Sequence, residues 1–392
     1  MKRQEEFEHE YMGRIEKLRK RLEKSDVEIS LIVQNVDRFY FTGTIQDGVL
    51  LLPREGEPVL FIRRSYERAN EECYLKNVVK IRGFKDIHEY ILDNNLKHGV
   101  IGVEMDTVPV SIFNRLRYFF DKSVFRDISE EIKDLRMIKS DIEQMFLFEA
   151  GARIDTVLDE LSLSISDSIT EYEIHRILTE TLVRSGSLQY GRVRAFNMEV
   201  ISNYVMCGEN ATRLSFLNSA SAGGKGISRA FPAGASFDKI QKGKPLLVDM
   251  LYNFEGYFCD CTRIFSIGKP ENRFLKAHEQ SIRIHEIFKE GVERGFSIKG
   301  IWDDAMELVK EENLENNFMP GLGFFGHGIG LELDEKPFIH PENLENILDG
   351  SVVALEPKFI FDDGVVGVEN TYVIRNGSAV STTTLDENIW IL

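Results

Sequence analysis

The spacing of hydrophobic positions changes several times along this chain, and each change marks an element. Tyr11, Ile15, Leu18 and Leu22 recur at helical spacing, and the basic residues from Arg14 to Lys24 are interleaved with acids. That pattern predicts an amphipathic helix packed along one face. Short aliphatic and β-branched runs predict strands at 28–33, 49–53, 59–62 and 100–104, so the chain reads as alternating α and β segments to about residue 130. A long helix begins near Ser140, whose hydroxyl caps it while Glu143 completes a capping box. A second helix spans 171–185 with Ile174, Ile177, Leu178 and Leu182 on one face. A third carries Ile298, Ile301, Trp302, Ala305, Leu308 and Val309. Two later segments, 246–265 and 352–374, read as β-hairpins around Asn253-Phe-Glu-Gly256 and Phe361-Asp-Asp-Gly364. Antiparallel strands with helices on one face are therefore expected in the second part of the chain.

Composition narrows the function. With 392 residues, 43% of them apolar and 29% charged, the chain is long enough for two domains with a substantial core. A net charge of −16 argues against a phosphate-backbone partner, which needs clustered Lys and Arg, so no nucleic acid is expected. No apolar run reaches roughly 18 residues, and Met1-Lys-Arg-Gln-Glu-Glu-Phe lacks a signal-peptide core, so no membrane partner is expected. The four cysteines form no framework. Cys259 and Cys261 flank Asp260 on the same strand and so point away from it, while Cys73 and Cys207 are isolated. A reduced, cytoplasmic protein is the expectation. Gly223-Gly-Lys-Gly226 lacks the spacing of a phosphate-binding loop and is read as a flexible loop near the site.

The hairpins carry the chemistry. If their turns are centred as written, Asp249 faces Asp260 and Glu356 faces Glu369 across the ladders. Directly opposed residues have Cβ atoms about 4.5–5.5 Å apart, and like charges so placed destabilise a sheet. Two divalent cations about 3.5–4 Å apart would compensate both pairs. A nitrogen donor is available in His327, framed by Gly326, Gly328 and Gly330, which let the backbone approach closely.

These residues resemble the pita-bread metallohydrolases, the family of proline dipeptidase, aminopeptidase P, methionine aminopeptidase and creatinase. Asp-Cys-Thr-Arg at 260–263, Gly-His-Gly-Ile-Gly-Leu at 326–331 and Leu-Glu-Pro at 355–357 are similar to its signatures. The resemblance places the five metal ligands on Asp249, Asp260, His327, Glu356 and Glu369. It extends to the first third, where Phe39-Tyr-Phe-Thr-Gly43 and Leu135-Arg-Met-Ile-Lys-Ser140 are similar to the proline-specific and creatinase branches. It implies a creatinase-like α/β N-terminal domain over 1–132 and an α+β pita-bread catalytic domain over 133–392, in a homodimer. It also implies two divalent ions, with manganese or cobalt favoured and zinc or iron compatible with the same donors.

The surroundings of the metal positions depart from the family. Its peptidases carry a histidine seven residues after the metal-binding one, where this chain has Asp334. A second family histidine corresponds to Ser215, preceded by Leu214 in place of Pro. The family's Gly after the Glu-Pro pair is Lys358, its Arg before the last ligand's segment is Gly367, and the acid following that ligand is Asn370. Creatinase itself shows the reverse, lost ligands, so a metal-free reading is disfavoured.

The resemblance implies hydrolysis of an amide bond by a metal-bridged hydroxide, with Glu356 as general base. The expected substrate is the N-terminus of a short, proline-containing peptide. Asp334 is a candidate proton shuttle or binder of a cationic substrate group. Lys358 either neutralises charge in the site or holds a substrate carboxylate. Arg213 and Ser215 are candidates for substrate selection, Thr262 for orienting Asp260, and Arg263 for pairing with nearby acids. His340 reads as structural. Two rivals stand beside this reading: a metal-dependent hydrolase or lyase of a small amine, amidino or onium metabolite, and a catalytically silent binding protein.

Overall fold

A computed structural model describes residues 2–217 and 220–392, with side chains from residue 6 onward. The chain divides into two compact units, Met1–Arg136 and Met137–Leu392.

Among the described residues, the first unit contains six helices: α1 (Lys2–Leu22), α2 (Asn35–Thr42), α3 (Tyr66–Glu72), α4 (Phe84–Asp93), α5 (Val110–Phe119) and α6 (Ser129–Met137). Its sheet has six strands: β1 (Ile29–Ile32), β2 (Gly48–Pro53), β3 (Val59–Ile62), β4 (Val78–Lys80), β5 (Val100–Val103) and β6 (Val124–Asp127). They lie in the order β4-β3-β2-β1-β5-β6. β1, β2 and β3 pair antiparallel, while β4, β5 and β6 join in parallel. The four predicted strands are the central ones. The two not predicted, β4 and β6, are short edge strands without fully buried residues, so they lack a long apolar run. Leu31, Leu51, Phe61 and Ile101 of the sheet meet Ile87, Ile91 and Leu116 of α4 and α5 in the core. The predicted stripe of Tyr11, Ile15, Leu18 and Leu22 on α1 is buried. α6 runs through the boundary expected at 132/133, and the division falls after it reaches Arg136.

The second unit begins with α7 (Asp141–Ser162), whose N-terminus is the capping box read from Ser140 and Glu143. α8 (Glu171–Arg184) carries a second capping box, from Thr170 and Glu173. Then come β7 (Asn203–Cys207), β8 (Leu246–Phe254) and β9 (Tyr257–Ser266), followed by α9 (Asn272–Glu293) and α10 (Ile298–Glu311). The remaining strands are β10 (Gly326–Gly328), β11 (Glu335–Phe338), β12 (Val352–Leu355), β13 (Lys358–Phe361), β14 (Gly364–Gly367), β15 (Asn370–Arg375), β16 (Ser378–Ser381) and β17 (Trp390–Ile391). They form sheets ordered β17-β9-β8-β7 and β11-β10-β12-β15-β16, with β13-β14 as a separate ribbon. Every pairing in this unit is antiparallel except β17 with β9.

The alternation of side chains decides where the acids go. On the β8–β9 hairpin, Val248, Met250, Cys259 and Cys261 pack with Ile154, Leu158, Ile174 and Leu178 of α7 and α8. Asp249 and Asp260, each adjacent in sequence to those residues, therefore face the opposite side. Both cysteines point away from Asp260, as their spacing predicted.

Candidate metal centre

The first hairpin is registered differently from the sequence expectation. Its two-residue turn is Glu255-Gly256, both at positive φ (51° and 89°), a conformation that Gly adopts without strain. Asp249 consequently pairs with Thr262 and Asp260 with Leu251. The two acids are diagonal neighbours on one face rather than directly opposed. In the second hairpin the pairs Leu355↔Asn370 and Lys358↔Gly367 share one register, although they lie in separate sheets and Glu369 between them bridges Thr262. That register carries Glu356 to the position opposite Glu369, as expected.

All five predicted ligands line one cavity, together with Tyr204, Leu251 and Leu333. Donor atoms of Asp260, His327 and Glu369 lie within 4.8 Å of one another. Asp260 Oδ1 and Glu356 Oε1 are buried without a hydrogen-bond partner among the described residues. His327 Nε2 stands 3.7 Å from that Glu356 oxygen. Its Nδ1 faces the carbonyls of Gly328 (3.0 Å) and Leu333 (3.1 Å), so the Nδ1–H donates and Nε2 keeps its lone pair toward the cavity. Orphaned carboxylate oxygens beside a free imidazole nitrogen fit a divalent cation.

The electrostatics agree. Burial, reinforced by the charges of Glu369 and Asp249, pushes the Asp260 pKa well above the carboxylate range. Burial also raises Asp249, partly offset by Lys358. For His327, burial opposes protonation, but Asp334, Glu356 and Glu369 outweigh it and leave the pKa raised. The cluster holds more negative charge than it can neutralise with its own hydrogen bonds.

Lys358 enters this cluster directly. It is buried, and its Nζ lies 2.8 Å from Glu356 Oε2, 3.0 Å from Glu369 Oε2 and 3.3 Å from Asp249 Oδ2. Burial works against its charge, but the three carboxylates hold its pKa well above the ordinary lysine value. An ammonium has three N–H donors, and all three are engaged, leaving none for a substrate carboxylate.

Other expectations are revised. Thr262 Oγ1 donates to Glu369 Oε2 at 2.7 Å rather than to Asp260, because it stands opposite Asp249. Asp260 is held instead through its backbone, whose N–H and carbonyl both bond Thr371 Oγ1. Arg263 is fully buried and binds the Thr262 and Glu369 carbonyls and the Asn370 side chain, not acids. Asp334 lies on the Nδ1 side of His327, 3.6 Å away, and does not line the cavity. Its neighbour Leu333 does, since alternate residues take opposite sides. Arg213 is exposed, and Ser215 Oγ accepts from the Leu217 N–H. The Gly223 N–H binds the Arg213 carbonyl, and the described residues of this loop that reach the cavity are Leu217 and Ala220. His340 accepts the Glu342 N–H in a local turn, a structural role.

Tyr204 was not foreseen. It is buried, lines the cavity, pairs with Asp249 across β7–β8, and its hydroxyl has no partner. Burial and the charges of Asp249 and Asp260 raise its pKa above the normal phenol value. Its place on the strand face that carries Asp249 was the only available signal.

Two Asp and two Glu on antiparallel hairpins with His327 on β10, all buried but the half-buried Asp249, define a metal-dependent hydrolase site of the pita-bread class. Comparison with known proteins agrees: residues 146–376 match metallopeptidase family M24, and residues 14–138 match the creatinase/prolidase N-terminal domain. The chain belongs to metallopeptidase family M24. It is 26% identical over 380 residues to a Xaa-Pro dipeptidase of Pyrococcus furiosus, covering 96% of this chain and 99% of the relative. It is 28% identical over 372 residues to an uncharacterized peptidase of Methanocaldococcus jannaschii, covering 93% of each. Its fold is similar to that of a Xaa-Pro dipeptidase from Bacillus anthracis, with a TM-score of 0.81 at 21% identity, covering 97% of this chain and all of that one. Among the described residues, no helix is long and apolar enough to cross a membrane.

Proposed function

We propose that this chain hydrolyses the N-terminal peptide bond of dipeptides or short peptides whose second residue is proline. The observation that carries this reading is the convergence of Asp260, His327 and Glu369 on one buried point of a cavity. The names of its relatives support the substrate class. The cavity walls contributed by Ile201, Leu217, Leu251 and Leu333 suit a prolyl ring or an apolar side chain better than a charged metabolite. The rival built on Asp334 loses its motivation, since that carboxylate lies behind His327. Five retained polar ligands count against a silent binding protein.

Asp260, His327 and Glu369 would hold a divalent cation there, and the Lewis-acid chemistry it would supply is acidification of water and polarisation of a carbonyl. Manganese or cobalt remains the first choice for assay, and two ions on five ligands remains the count expected from the family. Glu356 Oε1, buried and unpartnered, takes the proton from the attacking water. Lys358 holds the other Glu356 oxygen and fixes the orientation of that carboxylate. Tyr204 Oη donates to the oxygen of the scissile carbonyl, where negative charge develops. Thr262 and Arg263 hold Glu369 by side chain and backbone, which keeps the donors in place. A cytoplasmic homodimer belongs to the same reading, and sizing in solution tests the dimer.

The functional test is proline release from a panel of Xaa-Pro dipeptides and Xaa-Pro-Xaa tripeptides by manganese-treated protein, with Asp260→Ala as the blank. Release that the variant lacks supports the reading, and the length preference separates dipeptidase from aminopeptidase. Absence of release across the panel, from protein that holds metal, would overturn the proposed substrate class.

A further inference from the structure

Lys358 Nζ sits among three of the carboxylates that the family likeness assigns to metal ions. We propose that the Lys358 ammonium is a built-in replacement for one of the two metal ions, so that each active site takes one divalent cation, at Asp260, His327 and Glu369. The proposal rests on the reading of this cluster as a metal centre and revises the count expected there. It is independent of which substrate is cleaved.

Two sets of donor atoms separate cleanly. Glu356 Oε2, Glu369 Oε2 and Asp249 Oδ2 all point at Lys358 Nζ, within 3.3 Å. Asp260 Oδ1, Glu356 Oε1 and His327 Nε2 have no such partner and face the remaining space. Hard divalent ions sit roughly 2.0–2.6 Å from their carboxylate oxygens. An ion sharing the oxygens already bound by Lys358 would overlap the ammonium and meet its full positive charge. The second set has room for an ion and needs one. Four carboxylates against one ammonium still leave a negative excess, and buried oxygens without partners are costly.

The backbone is arranged to keep Lys358 in place. Gly367 stands directly across the ribbon from it. A Cβ at 367 would come within 2.4 Å of the Pro357 carbonyl oxygen, 2.8 Å of Lys358 Cα and 3.0 Å of Lys358 Cγ. Only glycine leaves the lysine its path toward the cluster. The Lys358 N–H is also anchored, on Met319 Sδ at 3.2 Å. A substrate-binding lysine would need a donor aimed at open space, and this one has spent all three on protein oxygens.

The test is metal stoichiometry. Protein stripped with a chelator is re-equilibrated with excess Mn2+ and desalted, and manganese per chain is measured by mass spectrometry alongside the electron paramagnetic resonance spectrum. The wild type is expected to hold one ion per chain with the hyperfine pattern of an isolated Mn2+. Lys358→Gly is expected to hold two, with an exchange-coupled spectrum. Two ions in the wild type, or none, would overturn the proposal, and this count decides it even if the variant does not fold. A chain that holds one ion but releases no proline leaves the proposal standing and sinks the substrate reading. A two-ion chain that cleaves Xaa-Pro peptides does the reverse.

Discussion

Replacing Lys358 by methionine keeps an unbranched apolar stem and removes the terminal ammonium. In the wild type that charge compensates two buried carboxylates and the half-buried Asp249 through bonds of 2.8, 3.0 and 3.3 Å. Removing one member of a buried ionic cluster costs about 3–5 kcal/mol, because the remaining charges stay buried and unpaired. Each kcal/mol lowers the melting temperature of a unit this size by about 2–4 °C, so metal-free Lys358→Met should melt about 6–20 °C below the wild type. Mn2+ should then stabilise the variant more than the wild type, since it can enter the vacated position as well as the open one. Each site filled at a hundred times its dissociation constant adds about 2.7 kcal/mol. Calorimetry of chelator-treated protein, with and without Mn2+, measures both differences. Equal metal-free melting temperatures, or an equal Mn2+ shift in both proteins, would refute the structural role assigned to the ammonium.

Three further outcomes follow from the same geometry. Gly367→Ala forces its new carbon against backbone atoms of Pro357 and Lys358, and should lower stability by about 1–3 kcal/mol in urea unfolding. Tyr204→Phe removes a hydroxyl that bonds nothing in the protein, so stability and metal content should hold while kcat falls about 10-fold or more in steady-state assays. His278 and His285 are kept neutral by burial, with pKa values pushed down to about 4 and about 3, against an ordinary value near 6.5. Both therefore bind a proton more readily when unfolded. Stability should be flat above about pH 6.5 and fall as pH drops toward 4, by about 3 kcal/mol for each histidine. Unfolding curves of the two His→Gln variants, with a shallower fall, check it.

Much of this site was legible because strand alternation and turn chemistry are local. The paired acids, the glycine-framed His327 and the outward-turned Cys259 and Cys261 all follow from residues a few positions apart. The first hairpin slipped in register because Phe254-Glu255 and Glu255-Gly256 are both plausible turns, and only the positive φ at Gly256 decides between them. Lys358 was recognisable as a charge misplaced among acids, but its direction was not, since that depends on the empty face of Gly367 across the ribbon. The placement of Asp334 and Arg213 was hidden for a related reason: spacing along the chain does not report which side of a loop faces the cavity. α9 gave a weak signal because its buried face includes His278, Gln280, Ser281 and His285. His285 meets Tyr372 and the Val368 carbonyl, partners more than 80 residues away that no local pattern reveals.

A metal centre in which Lys358 stands for one ion can be seen by diffraction from crystals grown with Mn2+, using the anomalous signal to locate manganese. One peak per chain is expected, ringed by Asp260, His327 and Glu369, with Lys358 Nζ still among Glu356, Glu369 and Asp249. Two peaks with the lysine displaced, or no peak at the cluster, would contradict it.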